Sequence, residues 1–339
     1  MKICILCNEE KPLEEFRDKR NKCKCCELIG YDEHRKTLSG CLHCLLNNAK
    51  HNSKNRIKNG NEISGICTIT FDGIEKLWKE QNGICYYSNI PMNFNKNIWK
   101  VSLERLNPNI GYITNNIALC CIEFNCSSQW SKEKIKEMLN ILSQNITVNN
   151  IKFDLDEKKV KCNKIKETII DGIKHYNCNK CNTIKKITDF NKAIHNGCKE
   201  CGKLKSKERR KIPRVHLQNL ISSAIQRTTI RGKRTDDNYD NTFNINFDIL
   251  VSQFNKQKGL CAYSGIPIKF GSYKENNWTC SLERIDAFKG YSEDNICLIC
   301  YEFNMSDKTI LYKDKTLGNS GWTSEKFKIF LEYVNKLYT

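Results

Sequence analysis

The sequence predicts an α+β protein built from two tandem repeats, each with a cysteine-rich segment, a two-stranded segment and a C-terminal helix. Three observations predict this fold class. Residues recur along the 339-residue chain at offsets of 174 to 179, paired cysteines open each copy, and strand and helix patterns follow in the same order. A polar, Lys-rich stretch separates the copies, so we predict domains 1–158 and 159–339.

The charge balance narrows the class of partner. The chain carries 56 Lys and Arg against 38 Asp and Glu, a formal charge of +18, and so large an excess indicates a polyanionic partner such as nucleic acid. No stretch approaches the roughly 20 apolar residues of a bilayer span, and the N-terminus becomes polar too soon for a signal peptide. We therefore expect an intracellular protein, cytoplasmic or nuclear, with no membrane partner.

The first element of each repeat is a set of four cysteines in two C-x2-C pairs, separated by 15 or 16 residues. The two sets are Cys4, Cys7, Cys23 and Cys26, and Cys178, Cys181, Cys198 and Cys201. Two such pairs can direct four thiolates at one tetrahedral Zn²⁺ ion, and four thiolates leave no open position for chemistry. The pattern predicts one structural zinc ion per repeat, the alternative being buried or redox-active thiols.

The remaining cysteines give weaker signals. The Cys41-x2-Cys44 pair lies beside a helical apolar face and has no cysteine counterpart in the second repeat, which favours packing over metal binding. Four other cysteines recur in both repeats but lack the second member of a pair, and we expect buried free thiols there. These are Cys85, Cys121, Cys261 and Cys300.

The central block of each repeat is the most similar between the two copies. Ser102-Leu-Glu-Arg recurs as Ser281-Leu-Glu-Arg at an offset of 179, and a Glu-Phe-Asn sequence closes both blocks. In the first copy we predict a strand over 101–106, a turn containing glycine, a strand over 112–119 and a helix that opens near residue 121.

This arrangement brings a carboxylate and an amide to one place, where their oxygens suit Mg²⁺ and leave positions for water and a phosphate. The following arginine can donate a fork of hydrogen bonds to phosphate oxygens. The two predicted sites are Glu104 with Asn125 and Arg105, and Glu283 with Asn304 and Arg284. These residue types indicate a nuclease-type site. The alternative is an ion pair at the end of a strand together with a helix cap.

Each repeat ends in a tryptophan followed by an amphipathic helix with an N-cap residue. Trp130 precedes Ser131 and a helix with Ile135 and Met138 on its apolar face, and Trp322 precedes Thr323 and a similar helix. The second copy carries about a dozen additional residues before Trp322.

On these motifs, each half of the chain resembles the HNH, or ββα-metal, nucleases, and most closely the PacI-like restriction endonucleases among them. The resemblance spans nearly all of each half. It includes the cysteine knuckle, a Cys-x-Tyr element at Cys85 and Cys261, the strand that ends in an acid followed by Arg, and the Gly-Tyr turn. It implies zinc-stabilised lobes, a catalytic divalent cation in each ββα unit, and hydrolysis of one DNA strand by each unit.

The chain departs from that family at two points. The PacI-like branch has Asp-Arg at the end of the strand, whereas both halves of this chain have Glu-Arg, which is one methylene longer but still offers a carboxylate ligand. The family's second four-cysteine zinc site keeps half of its ligands here, so we predict no zinc in it. The positions of the missing ligands hold Ser88, Phe124, Ser264 and Phe303.

The resemblance also implies roles for residues around the site. Asn116 and Asn295 would brace the loop between the strands through backbone hydrogen bonds. Tyr87 and Tyr263 match a tyrosine near the active site that orients or deprotonates the attacking water. An unassisted tyrosine is a poor base, so metal-bound water or the arginine are alternatives, as is simple aromatic packing. None of the six histidines lies in a central block, which excludes a histidine base from it.

The predicted function is a site-specific, restriction-type endonuclease of double-stranded DNA that acts as a monomer, an internal pseudo-dimer cutting one strand per half. Basic clusters at 50–58, 203–211 and 227–234 suit phosphate contacts, although each is equally compatible with a solvated helix face. Two alternatives are open: a zinc-stabilised nucleic-acid-binding protein with degenerate nuclease motifs, and a homing-type endonuclease with the same chemistry.

Overall fold

The computed structural model describes residues 1–125, 130–144, 167–191, 197–232, 240–305 and 321–338, together with residues 146, 148, 151 and 153. The predicted boundary near residue 158 and most of the additional residues before Trp322 lie outside these ranges. Within them the chain is α+β, with helices and small antiparallel sheets, as the sequence predicted.

Nine α-helices lie in the described ranges. They are α1 (Lys24–Arg35), α2 (Leu38–Lys58), α3 (Glu62–Gly65), α4 (Phe71–Glu80), α5 (Lys132–Ser143), α6 (Lys199–Arg209), α7 (Pro213–Gly232), α8 (Phe247–Lys256) and α9 (Ser324–Tyr338). In the part of the chain that the structure describes, no helix is both long and apolar enough to span a membrane.

In the described ranges the strands form four small antiparallel sheets. They are β1 (Lys2–Ile3) with β2 (Glu10–Lys11), β3 (Val101–Arg105) with β4 (Ile117–Cys121), β5 (Glu167–Ile170) with β6 (Ile173–Asn177) and β7 (Ile184–Lys186), and β8 (Cys280–Arg284) with β9 (Ile296–Cys300).

The two central ribbons, β3–β4 and β8–β9, have matching registers. Glu104 lies opposite Ala118, and Glu283 lies opposite Cys297. The first strand agrees with the prediction, but the second begins at Ile117 and not at residue 112. Residues 114–116 form a 3-10 turn whose last residue, Asn116, is turned inward to bond the loop.

The helix predicted to open near residue 121 is not observed there. Residues 122–124 form a turn and the equivalent residues 301–303 form a 3-10 turn, while residues 126–129 lie outside the described ranges. The chain turns because Glu123 and Phe124 are both buried, and a carboxylate oxygen of Glu123 accepts the backbone N–H of Trp99 at 3.1 Å. Asn125 directly follows this turn and is not itself helical.

Helix α5 and helix α9 have the caps and apolar faces that the sequence predicted. The Ser131 hydroxyl accepts the backbone N–H of Lys134, and the Thr323 hydroxyl accepts that of Lys326, both at 3.1 Å. The buried apolar residues on these helices are Ile135, Met138, Phe327, Phe330 and Val334.

Packing divides the chain into two units that differ from the predicted domains. One unit comprises residues 1–139 together with 305–339, and the other comprises residues 140–304. Helix α9, predicted to complete the second domain, therefore packs with the first repeat. In the first unit its aromatic residues join those of the first repeat, with ring centroids 5.3–5.9 Å apart. This cluster consists of Phe124, Trp130, Trp322 and Phe330.

Candidate metal centres and candidate active sites

Both predicted cysteine sets form compact clusters. Within each set the four sulfur atoms lie within 4.8 Å of one another. In the second set, Cys178 and Cys201 are 3.9 Å apart and Cys181 and Cys198 are 4.0 Å apart, measured between sulfurs. Zn–S bonds of about 2.3 Å in a tetrahedron require sulfurs about 3.8 Å apart. Both clusters can therefore hold a zinc ion.

Backbone N–H groups favour the thiolate form of the first cysteine in each cluster. The Sγ of Cys4 accepts the backbone N–H of Cys23 at 3.3 Å, and the Sγ of Cys178 accepts that of Cys198 at 3.2 Å. The hydrogen bond from the backbone N–H of Cys23 is the largest of the influences that together lower the pKa of Cys4 to about 6. Burial opposes deprotonation of Cys178, yet bonds from backbone N–H groups lower the pKa of that thiol also to about 6. The charged form that binds a metal is thus stabilised at Cys4 and Cys178, whereas the neighbouring cluster thiols raise the pKa of Cys26, and burial together with such thiols raises the pKa of Cys201.

Apart from the cysteines, few of the described apolar side chains are buried in the lobes around the two clusters. Phe16 is the buried apolar side chain that packs with Cys4 and Cys23, and Phe190 packs likewise with Cys178 and Cys198. A metal ion that joined the four thiolates of each lobe would supply the cohesion that so small an apolar core lacks.

The weaker cysteine signals correspond to packing. Cys41 is buried in α2, and burial raises the pKa of its thiol. Cys85 and Cys261 are buried beside the ribbons, where each Sγ accepts the backbone N–H of the second recurring cysteine, Cys121 or Cys300, at 3.3 Å.

The Gly-Tyr turn of each block admits no other residue at its first position. A Cβ on Gly111 would lie 2.0 Å from the carbonyl oxygen of Ile66, and one on Gly290 would lie 2.1 Å from that of Thr242. This close approach lets the backbone N–H of Tyr112 donate to Ile66 at 2.8 Å. The turn thereby fixes the tyrosine ring beside the end of β3.

Asn116 and Asn295 brace the loop between the strands, as expected. The amide nitrogen of Asn116 donates to the carbonyls of Asn107, Ile110 and Gly111, and its oxygen accepts the backbone N–H of Asn107. Asn295 makes the corresponding bonds to Asp286 and Gly290. Both are buried, so these bonds are shielded from water.

The two strand-end carboxylates are held in a partly desolvated position. Burial raises the pKa of Glu104 to about 7, against the opposing influence of the N–H and the guanidinium of Arg105. Burial also raises the pKa of Glu283 to about 7, opposed by Arg284 and Arg227. A carboxylate whose charge is poorly compensated in the free protein is suited to accept a cation.

Asn125 lies on the same face of the ribbon as Glu104. Its amide nitrogen donates to the hydroxyl of Ser102 at 2.8 Å and to the carbonyl of Leu103 at 3.0 Å. Alternate residues of a strand face the same side, so Ser102 places the amide beside Glu104. Both bonds use the nitrogen, which leaves the amide oxygen for another donor or a metal. Asn304 repeats this geometry with Ser281 and Leu282 at the same distances.

The arginines that follow the carboxylates, Arg105 and Arg284, form hydrogen bonds to the loop between the two strands of each ribbon. The Nη1 atom of Arg105 donates to the carbonyls of Pro108 at 2.5 Å and Ile110 at 3.0 Å. Nη1 of Arg284 donates to Ala287 and Lys289 at 2.6 and 2.8 Å. One edge of each guanidinium is therefore structural, a role that sequence alone did not indicate.

The two tyrosines lie near the carboxylates but are poorly placed as bases. Burial, followed by the charge of Glu104, raises the pKa of Tyr87, and the same two causes, with Glu283, raise the pKa of Tyr263. Tyr87 is buried and packs edge-on against Tyr86, with ring centroids 5.2 Å apart. Deprotonation of either tyrosine is thus less favourable than in water.

The structure adds one residue to each site that sequence reasoning did not single out. Arg56, on α2, lies over the ring of Tyr112, and its charge contributes, after burial, to lowering the pKa of Arg105. Arg227, on α7, acts on the carboxylate of Glu283. The sequence indicated only that Arg56 and Arg227 belong to the basic clusters at 50–58 and 227–234. A cluster does not show which of its members faces the site.

The exposed helix α6 presents a basic groove beside the second cysteine lobe. Its lining includes Lys199, Lys203, Lys207 and Arg210, which recur at helical spacing on one face. Lys207 pairs with Glu275 at 3.0 Å, so part of this charge is balanced within the protein.

Comparisons of the chain with protein-family models, with curated proteins and with solved structures give no match.

Proposed function

We propose that the protein is a metal-dependent endonuclease of double-stranded DNA, of the restriction type, in which each repeat cuts one strand. The observation that carries this proposal is the repeated placement of a partly desolvated carboxylate and a fixed amide on one face of a ribbon. Asn125 beside Glu104 and Asn304 beside Glu283 donate the same hydrogen bonds to the ribbon at the same distances, 2.8 and 3.0 Å. In the alternative, the glutamate forms only an ion pair at the end of a strand and the asparagine only caps a helix. Neither of these roles requires the carboxylate and the amide to lie side by side in both repeats.

The donor set suits a hard divalent cation such as Mg²⁺. One carboxylate and one amide oxygen per site would hold it, with water and a DNA phosphate in the remaining positions. A bound cation would offset the charge that develops on the phosphate and lower the pKa of a water molecule. Because the pKa of each carboxyl is about 7, cation binding should weaken as the pH falls below that value.

The other side chains would position the reactants. Arg105 and Arg284 use Nη1 to hold the loop, so only their other nitrogens can donate to a phosphate. Tyr87 and Tyr263, with raised pKa values, would orient water through their hydroxyl groups and would not remove its proton. We assign proton removal to bulk water or to a phosphate oxygen, since neither ribbon block contains a histidine.

The charge of the chain and its cysteine lobes fit a DNA partner. The +18 formal charge and the basic face of α6 would contact phosphates, with affinity that depends on salt. Zinc in the two cysteine clusters would hold the lobes that carry α1 and α6. In this proposal a single chain contains both sites and acts as an internal pseudo-dimer.

The test is cleavage of supercoiled plasmid and phage genomic DNA with and without added Mg²⁺. We expect discrete fragments from the wild type, only nicked plasmid from Glu104→Ala or from Glu283→Ala, and no cutting by the double variant. Double-strand cutting by Glu104→Ala would remove Glu104 from the mechanism. Salt-sensitive DNA binding without any cutting would favour the alternative, a zinc-stabilised DNA-binding protein.

A further inference from the structure

Two arginines from different elements meet at one aromatic ring in the first site. The guanidinium carbon of Arg56, on α2, lies 5.4 Å from the ring centroid of Tyr112, and that of Arg105, at the end of β3, lies 5.5 Å from the same centroid. The ring attracts both cations, but two like charges gathered at one ring repel each other. Such a pair is favourable when an anion is present to receive their hydrogen bonds.

The guanidinium of Arg56 lacks an acceptor that such an anion would supply. Its Nη1 atom is shielded from solvent and has no hydrogen-bond partner among the described residues. An unsatisfied buried donor costs about 1–3 kcal/mol, so native structures seldom keep one without a reason. The side chain as a whole is only partly buried, which leaves the guanidinium within reach of a ligand.

The neighbouring groups do not neutralise this charge. Glu104 is the carboxylate adjacent to Arg105, and in the proposed function it is occupied by a divalent cation. The Nη1 atom of Arg105 already donates hydrogen bonds to the carbonyls of Pro108 and Ile110. Of the two arginines at the ring, Arg56 is therefore the one with more donors to offer.

We propose that Arg56 binds a DNA backbone phosphate at the first site, as a guanidinium supplied by the helix that precedes the ribbon. This inference rests on the proposed nuclease function and extends it from the ribbon residues to α2. Arg105 then acts mainly as a positioning residue for the loop. Guanidinium groups suit this role because their planar fork matches two phosphate oxygens.

The second repeat offers a related arrangement. Leu42 and Ala49 of α2 match Leu217 and Ala224 of α7 in sequence position and burial, so Arg56 corresponds to position 231. Arg227 lies one turn earlier, on the same face, and its charge reaches Glu283. An arginine from the preceding helix thus accompanies the carboxylate in both repeats, and the position that matches Arg56 in sequence is also an arginine, Arg231.

The first experiment measures binding and does not depend on cutting. We would titrate a fluorescent 30-base-pair duplex of random sequence into wild type, Arg56→Met, Arg56→Lys and a charge-matched control, Lys76→Met, across a range of salt concentrations. Lys76 is exposed on α4. Loss of one phosphate contact should reduce the magnitude of the log-affinity against log-salt slope by about 0.9 in Arg56→Met and leave Lys76→Met unchanged. Equal slopes in Arg56→Met and wild type would overturn the proposal.

The second experiment assigns the contact to one site. In a Glu283→Ala background, where only the first site can nick plasmid, Arg56→Met should lower the nicking rate about tenfold or more, and Arg56→Lys should lie between. In a Glu104→Ala background, at protein concentrations that saturate the plasmid so that weaker binding does not limit the rate, the same substitution should leave nicking by the second site within twofold. Equal loss in both backgrounds would contradict a local role, and thermal melting would show whether each variant is folded.

These two measurements separate the inference from the proposed function. If neither the wild type nor any variant nicks DNA but the salt slope changes in Arg56→Met, the nuclease proposal fails while the phosphate contact stands. If the wild type cuts and Arg56→Met behaves as Lys76→Met does, the nuclease proposal stands and the Arg56 inference fails.

Discussion

At the residue scale, the strand-end carboxylates determine how the sites respond to pH. Burial raises the pKa of both Glu104 and Glu283 to about 7, so the folded protein prefers these groups protonated. In the unfolded chain a glutamate titrates at about 4.3. Each site therefore destabilises the fold progressively as the pH rises from about 4.5 to 7, and the full penalty is present above that range.

This leads to a stability prediction for the Glu104→Gln, Glu283→Gln double variant. Without added divalent cation, we expect it to exceed the wild type in unfolding free energy by about 1–3 kcal/mol per site at pH 8, and by much less at pH 5. Denaturant titrations at the two pH values measure this, with exposed Glu14→Gln as the control. A gain that is the same at both pH values would show that charge desolvation is not its cause.

The same variant distinguishes a metal site from a merely buried acid. Adding Mg²⁺ should raise the melting temperature of the wild type at pH 8, because a ligand that binds only the folded state stabilises it. The double glutamine variant should show no such rise. An equal rise in both proteins would place the cation elsewhere.

At the element scale, the cysteine lobes should depend on their metal while the ribbons do not. Among the described side chains of the first lobe, Phe16 is the buried apolar one apart from the cysteines, whereas β3 and β4 pack against a larger core. Hydrogen exchange after zinc removal should show loss of protection in α1 with β3 and β4 still protected.

Cys23→Ser should reproduce the loss, and Cys25→Ser provides a matched control because Cys25 is exposed and lies outside the cluster. Unchanged protection of α1 in metal-free protein would mean that the cysteine cluster is not a structural zinc site.

At the scale of the whole molecule, the first site depends on the end of the chain. Lys326, on α9, pairs with the buried carboxylate of Glu123 at 2.5 Å, and the indole N–H of Trp322 donates to the backbone carbonyl of Glu123 at 3.1 Å. Glu123 lies two residues before Asn125. A segment from the second repeat thus supports the backbone that carries a proposed ligand of the first.

Removing one partner of this pair should be costly, because it leaves a buried charge without compensation. We expect Lys326→Met to lower the unfolding free energy of the chain by about 3–5 kcal/mol, and a further Glu123→Gln to restore part of it. Chemical denaturation of both variants checks this, with exposed Lys328→Met as the control. A loss below 1 kcal/mol would show that the pair contributes little.

Much of the local structure was predictable, because it depends on short-range patterns. The two cysteine sets, the first strand of each ribbon, and the capped helices after Trp130 and Trp322 follow from spacing and residue type. The bracing role of Asn116 was expected only from the resemblance to a known family. The loop at 122–125 was predicted wrongly as a helix, because its apolar residues are buried by contacts with distant aromatic residues and not by a helical face.

Sequence patterns alone predict the residue types of the candidate sites, the cysteine clusters that can hold zinc and the local elements that carry them, because most of these features depend on residues close together in the chain. Only the tertiary structure decided that α9 packs with the first repeat, that Nη1 of Arg105 is occupied by the loop, and that Arg56 reaches the ring of Tyr112. The reason is physical: the contacts of α9 and of Arg56 join residues about 50 to 200 positions apart, and their energy comes from burial and charge pairing that no local pattern encodes. The bonds of Arg105 reach carbonyls only three and five residues away, but they require the folded loop between the strands.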